Sequence, residues 1–112
     1  MITEDYCSFE ISKLLKEKGF DEPCTELNKL CLRDGEKPVL KVTHQKVMKW
    51  LREAHNLFIE ISTSIDLNGK YHFSYTILDK ECKYVRRLYT DFDWDYEDAV
   101  EAALKYSLKN LI

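Results

Sequence analysis

The chain has little of what marks a chemistry from sequence alone. Three glycines and two prolines in 112 residues are too few for a collagen-like, linker-rich or low-complexity chain. No glycine-rich phosphate loop and no nucleophile elbow occurs. No apolar run approaches the roughly 18 residues that a membrane span requires. The opening residues Met1-Ile2-Thr3-Glu4-Asp5 are acidic and lead into no apolar block, so no secretory signal is expected and the sequence reads as cytoplasmic. There is no Cys-x-x-Cys, no histidine pair at helical spacing, and His44, His55 and His72 fall in different elements. Neither a metal nor another cofactor is therefore expected. In a reducing compartment Cys7, Cys24, Cys31 and Cys82 read as free, buried thiols.

What is present is a globular composition, 45% hydrophobic and 33% charged, with a net charge of −3. The charge is unevenly spread. Residues 1–42 carry −2, residues 43–90 carry +3 and residues 91–112 carry −4. No segment has the dense positive field that generic phosphate binding needs.

The first helix is expected from about Ser8 to Lys18, with Cys7, Ile11, Leu14 and Leu15 on one face. Gly19 supplies a left-handed stop, and Phe20 is placed to fold back onto Leu15 in a Schellman-type cap. Residues 24–42 read as irregular or weakly β. Leu27, Leu30 and Cys31 have helical spacing behind Thr25, but Asp34-Gly35 signals a turn and Val39 to Val42 an extended run. A second helix starts at Thr43 as N-cap and stops at Asn56, its stripe made of Val47, Trp50, Leu51 and Ala54.

The period then switches to two. Leu57, Ile59, Ile61, Thr63 and Ile65 define one strand face, and Tyr71, Phe73, Tyr75 and Ile77 another. A two-residue Asn68-Gly69 loop would set Ile65 opposite His72 and mix the faces. A three-residue loop, Leu67-Asn68-Gly69, sets Ile65 opposite Tyr71, Ile61 opposite Tyr75 and Ile59 opposite Ile77, and is the predicted turn. A third strand spans about Lys83 to Tyr89 after the turn Asp79-Lys80-Glu81. Either Tyr84, Arg86 and Leu88 or Val85, Arg87 and Tyr89 face inward. Asp95 caps a last helix, about Tyr96 to Asn110, with Ala99, Val100, Ala103, Leu104, Ser107, Leu108 and Leu111 inward. Glu101 and Lys105 have the spacing of an exposed pair.

The expected fold class is α+β. An N-terminal helix and irregular segment (1–42) precede an αβββα core (43–112) in one domain, with helices on one face of a three-stranded antiparallel meander. Trp50 and the strand aromatics are assigned to the core, not to base stacking.

Residues 43–112 have the element order of a double-stranded-RNA-binding domain. Such domains present lysines at the start of their last helix; here Asp91, Asp93, Asp95, Glu97 and Asp98 stand there and would repel a phosphate backbone. The same acids match the first, third and fifth positions of a calcium loop, but Tyr96 and Ala102 occupy the glycine and bidentate-glutamate positions. A winged-helix reading rests on Lys46, Lys49 and Arg52 exposed on a helix followed by a hairpin.

Three stretches carry a resemblance: Leu14-Leu15-Lys16-Glu17-Lys18-Gly19-Phe20, Val47-Met48-Lys49-Trp50-Leu51-Arg52-Glu53-Ala54-His55-Asn56, and Tyr96-Glu97-Asp98-Ala99-Val100-Glu101-Ala102-Ala103-Leu104-Lys105-Tyr106. They resemble a group of small uncharacterised proteins from gut bacteria, their phages and mobile elements. The resemblance implies a bacterial or phage cytoplasmic setting and a compact α+β domain. It carries over no catalytic or binding residue.

The expected role is an accessory factor working through protein contacts. Its candidate surface is Lys46, Lys49 and Arg52 with Asp91, Asp93 and Asp95, and its partner another protein or a second copy, not a nucleic acid or a membrane. Two rivals stand beside it: a winged-helix-like DNA-binding regulator, and a small enzyme using Cys82 or a histidine.

Overall fold

The computed structural model describes residues 6–20, 30, 31, 34, 35, 39–88 and 94–112. In chain order these form helix α1 (Phe9–Glu17), strands β1 (Leu30–Cys31) and β2 (Val39–Leu40), helix α2 (His44–His55), strands β3 (Phe58–Ile65), β4 (Tyr71–Leu78) and β5 (Tyr84–Leu88), and helix α3 (Tyr96–Tyr106). A π-helical turn, Ser107–Leu111, continues α3. The chain is an α+β fold with a three-stranded antiparallel sheet of order β3-β4-β5. The short β1 and β2 pair antiparallel on their own, so the weakly β reading of this segment holds at Leu30, Cys31, Val39 and Leu40. Thr25 and Leu27 lie outside the described residues. No helix among the described residues is long and apolar enough to cross a membrane.

The helix ends follow local chemistry. Ser8 Oγ accepts from the Ile11 N–H at 3.3 Å, Thr43 Oγ1 from Lys46 at 3.3 Å, and Asp95 Oδ1 from Asp98 at 3.2 Å. The Asp98 carboxylate accepts in return from the Asp95 N–H at 3.1 Å, which completes a capping box. At the end of α1, Gly19 has φ +91°. Its N–H donates to Lys16 and that of Phe20 to Leu15, 3.3 and 2.9 Å away, the two bonds of a Schellman cap. The Phe20 ring then meets Trp50 edge-on, 5.3 Å between centroids, and so ties α1 to α2.

The hairpin register is that of the three-residue loop, with Ile65 opposite Tyr71, Ile61 opposite Tyr75 and Ile59 opposite Ile77. The Asp66 N–H donates to Lys70 at 2.9 Å and that of Gly69 to Asp66 at 3.0 Å, with Gly69 at φ +80°. Asp66 Oδ1 also accepts from the N–H groups of Asn68 and Lys70. Its second oxygen lies 2.8 Å from His72 Nε2. The His72 bond first, and then the Lys70 N–H, hold the Asp66 carboxyl below its ordinary range.

The turn from β4 to β5 repeats this bonding in a different sequence. Asp79 donates to Lys83, Cys82 donates to Asp79, and Asp79 Oδ1 accepts from Glu81 and Lys83. The two accepted N–H bonds lower the Asp79 carboxyl in the same way. Cys82, at φ +62°, takes the place that Gly69 fills in the first loop. A side chain in that left-handed region costs roughly 1–2 kcal/mol, part of which glycine gives back through its freer unfolded chain. Cys82→Gly is therefore expected to raise the unfolding free energy by about 0.5–1 kcal/mol. Urea denaturation checks this, and an unchanged or lower midpoint would contradict it.

On β5 the register settles the inward face left open by the sequence. Arg86 stands opposite Ile77 and is half-buried, with its guanidinium 4.4 Å from the Tyr106 ring centroid. A bulge between Ile77 and Leu78 makes Val85 the extra residue, so Tyr84 leaves that row and stacks with Arg87.

One core gathers Ile11 and Leu15 of α1, Val47 and Leu51 of α2, Tyr75 and Ile77 of β4, and Val100, Ala103, Leu104 and Leu108 from the chain's last helical stretch. Buried Ser107 is accommodated because its hydroxyl donates to the Ala103 carbonyl at 2.9 Å. Several expectations need correction. Cys82, read as a buried thiol, is exposed. Ala54 is exposed, and the fully buried row of α2 runs His44, Val47, Leu51, with Trp50 half-buried and packed against the core between Phe20 and His55. Glu101 does not pair with Lys105, which instead reaches Glu10 of α1 at 3.3 Å. Tyr71 is not core. α3 begins at Tyr96, whose ring meets Phe73 edge-on, and beyond it Tyr71 and Ile65 are each 61% exposed.

Candidate functional site

α2 presents Gln45, Met48, Lys49 and Arg52 along one row, because residues three and four apart stack on a helix surface. With Lys46, Thr43 and Tyr96, the first residue of α3, they line a groove of about 550 Å³. The three cations expected to share a surface are thus gathered in one concavity. Lys46, Lys49 and Arg52 are all exposed, and neither Lys49 nor Arg52 has an ion-pair partner among the described residues. Met48 and the Tyr96 ring add apolar surface between the charges.

Of the acidic residues assigned to the same surface, Asp91 and Asp93 lie outside the described residues. Asp95 is exposed and caps α3. Tyr96, which lines the groove, follows Asp95 directly at the acidic start of α3. Asp95 and Asp98 bond each other's backbone there, and Glu97 is exposed beside them.

A second polar cluster joins the three helices. Ser8 at the start of α1, His44 at the start of α2 and Glu101 in the middle of α3 meet although the sequence separates them widely. Glu101 Oε1 accepts from the Ser8 N–H at 2.7 Å and lies 3.6 Å from His44 Nε2. The His44 side chain is only 8% exposed and that of Glu101 28%. Burial pushes the Glu101 carboxyl upward, but the contacts from His44 and the Ser8 N–H outweigh it and leave the group below its ordinary range. The cluster clamps three helices, and the groove shares none of its residues.

The residues named for the enzyme reading are scattered. Cys82 is exposed in the β4–β5 turn, His44 is in the clamp, His55 packs on Trp50, and His72 binds Asp66 at the hairpin. None of them lines the groove. Among the described residues no group of three or more His, Cys, Asp or Glu side chains is arranged to hold a metal ion.

Sequence reasoning missed Met48 and Tyr96 in the groove and the whole clamp. Met48 was within reach, since 45, 48, 49 and 52 follow the i, i+3, i+4, i+7 pattern of a single helix face. Nothing local announces that Tyr96 lies across from α2. No protein-family model matches the chain, and no curated protein or solved structure does either.

Proposed function

We propose that this chain is a small accessory protein, of the phage or mobile-element kind its sequence resembles, that works by docking an acidic segment of another protein. The observation that supports this is the groove itself. Lys46, Lys49 and Arg52 converge on a concavity that also offers Met48 and Tyr96 as apolar contacts, a combination suited to carboxylates interspersed with apolar side chains. Cations at such a surface set specificity and association rate more than raw affinity.

A duplex is a poorer fit. Each phosphate neutralised contributes a slope of about −0.9 to log K against log salt, so three cations give at most roughly −2.7, a weak non-specific binder. The net charge of −3 opposes a polyanion further.

The test is fluorescence anisotropy with a labelled dodecapeptide alternating Asp or Glu with Leu or Phe, run beside a labelled DNA duplex. The peptide is expected to bind and to weaken with salt. Lys49→Glu with Arg52→Glu should reduce its affinity at least tenfold, about 1.4 kcal/mol, at an unchanged melting temperature. Failure of the peptide to bind, or indifference to the double reversal, would sink the proposal. Tight duplex binding that collapses with salt would put the winged-helix reading in its place.

A further inference from the structure

Among the described residues the outer edge of β3 is open, and its sequence fits one occupant. In an antiparallel ladder, residues alternate between bonding the neighbouring strand and turning their N–H and C=O groups the other way. The Asp66–Lys70 bond sets that alternation in this hairpin. Positions 58, 60, 62 and 64 bond β4, and Ile59, Ile61, Thr63 and Ile65 turn their backbone groups outward. Among the described residues no strand pairs with that edge. The stretch Ser62–Ile65 is exposed, with Ile65 61% accessible, Tyr71 opposite it also 61%, and Leu67 at the tip fully so.

Natural sheets blunt such edges with lysine, proline, bulges or inward charge. β5, the other edge, is treated this way, with Arg86, Arg87 and a bulge at Val85. β3 has none of these devices, and Glu60 is its one charge.

We infer that β3 pairs antiparallel with β3 of a second copy across a two-fold axis at Thr63. The segment Ile61-Ser62-Thr63-Ser64-Ile65 reads the same in both directions. An axis at Thr63 therefore sets Ile61 opposite Ile65 of the second copy, Ser62 opposite Ser64, and Thr63 opposite itself. Positions 61, 63 and 65 all turn their backbone groups outward, so donors meet acceptors at each of these pairs. The result is one six-stranded sheet of order β5-β4-β3-β3-β4-β5, an isologous contact that closes on itself. It also brings Ile65, uncovered in the single copy, beside Ile61 of its mate, which packs against the core. The contact uses no residue of the basic groove, so it stands or falls independently of the docking proposal. Five paired residues per strand make a small interface, so the dimer is expected to be roughly micromolar or weaker.

Sedimentation velocity over about a hundredfold range of protein concentration tests this, because a weak dimer forms by mass action. The expected result is a reversible shift from one chain mass to two. Thr63→Pro removes only an outward-facing N–H, which an edge strand tolerates, and should hold the protein at one chain mass with an unchanged circular dichroism spectrum. Ile65→Lys, at an exposed position, should do the same and serves if the proline variant misfolds. In a Cys82→Ser background, Thr63→Cys should give an oxidised dimer, since paired strand positions about 5.5 Å apart suit a disulfide. Glu60→Cys, away from the axis, should not. A single chain mass at every concentration overturns the inference. So does a dimer indifferent to both Thr63→Pro and Ile65→Lys, or equal crosslinking at positions 60 and 63.

Discussion

Replacing Glu101 with alanine is expected to lower the unfolding free energy at neutral pH by about 1–2 kcal/mol. Removing a carboxylate acceptor leaves its donor without a partner. Here the abandoned donor is the Ser8 N–H, 2.7 Å from the carboxylate, and the contact with His44, 3.6 Å away and 8% exposed, is lost with it. A hydrogen bond to a charged group contributes roughly 1.5–3 kcal/mol, and the partial exposure of Glu101 brings the expected value to the low end of that range or below. Equilibrium urea denaturation measures it. A loss under about 0.5 kcal/mol, the scale of an ordinary surface change, would mean that the clamp does not hold the helices together.

The clamp also fixes a direction for acid sensitivity. The Glu101 carboxyl sits below its ordinary range in the folded protein, so the unfolded chain takes up its proton first as pH falls. Its stabilisation is complete above the unfolded pKa and is lost as pH drops through the folded one. Stability should therefore decline on acidification below about pH 5. Glu101→Gln keeps an acceptor for the Ser8 N–H but does not titrate, so its profile should be flatter. Asp66 and Asp79, also lowered, give the same acid trend in both proteins and drop out of the difference between the two curves. A wild-type curve no steeper than that of the variant would refute the assignment.

Ile77→Ala is expected to lose about 3–4 kcal/mol, and Ile65→Ala no more than about 0.5 kcal/mol. Ile77 is 0% exposed and packs in the core with residues of all three helices, so truncation removes buried methyl groups and leaves a cavity. Ile65 is 61% exposed, at the end of the same sheet face. For a chain of this length the Ile77 loss corresponds to a fall in melting temperature of roughly 10–20 °C. Scanning calorimetry at low protein concentration, where self-association makes no contribution, separates the two. Comparable losses at both sites would mean that the hairpin tip is covered after all.

The elements were legible wherever the signal is short-range. Ser8, Thr43 and Asp95 act as N-caps because a side-chain oxygen needs only the next few N–H groups. Gly19 and Asn56 end helices through their own backbone preference, both at positive φ. The hairpin register could be reasoned out because an alternation of period two admits one loop length that keeps both faces consistent. The candidate surface was half legible. Lys46, Lys49 and Arg52 declare themselves on one helix, but the groove needs Tyr96 from a helix that starts some fifty residues later.

Long-range meetings were not legible, for a physical reason. Glu101 and Lys105 have ideal spacing for a pair on one helix, yet such a pair contributes only about 0.3–0.5 kcal/mol. Docking α3 against α1 offers each a better partner, Ser8 with His44 for one and Glu10 for the other. The bulge at Val85 was hidden likewise, since it arises from matching β5 to β4 and not from anything in residues 84–88 alone.

The sequence by itself determined where helices start and stop, which strand residues share a face, and how the first hairpin turns, because those are decided within a few residues along the chain. Ile59, Ile61 and Ile65 are equivalent by that measure. Only the tertiary structure decided that the first two lie half-buried under helices while the third is left bare, with an open strand edge beside it. The cover ends where α3 begins, at Tyr96 over Phe73, and the reach of a helix across a sheet is a property of their docking, which no local pattern encodes.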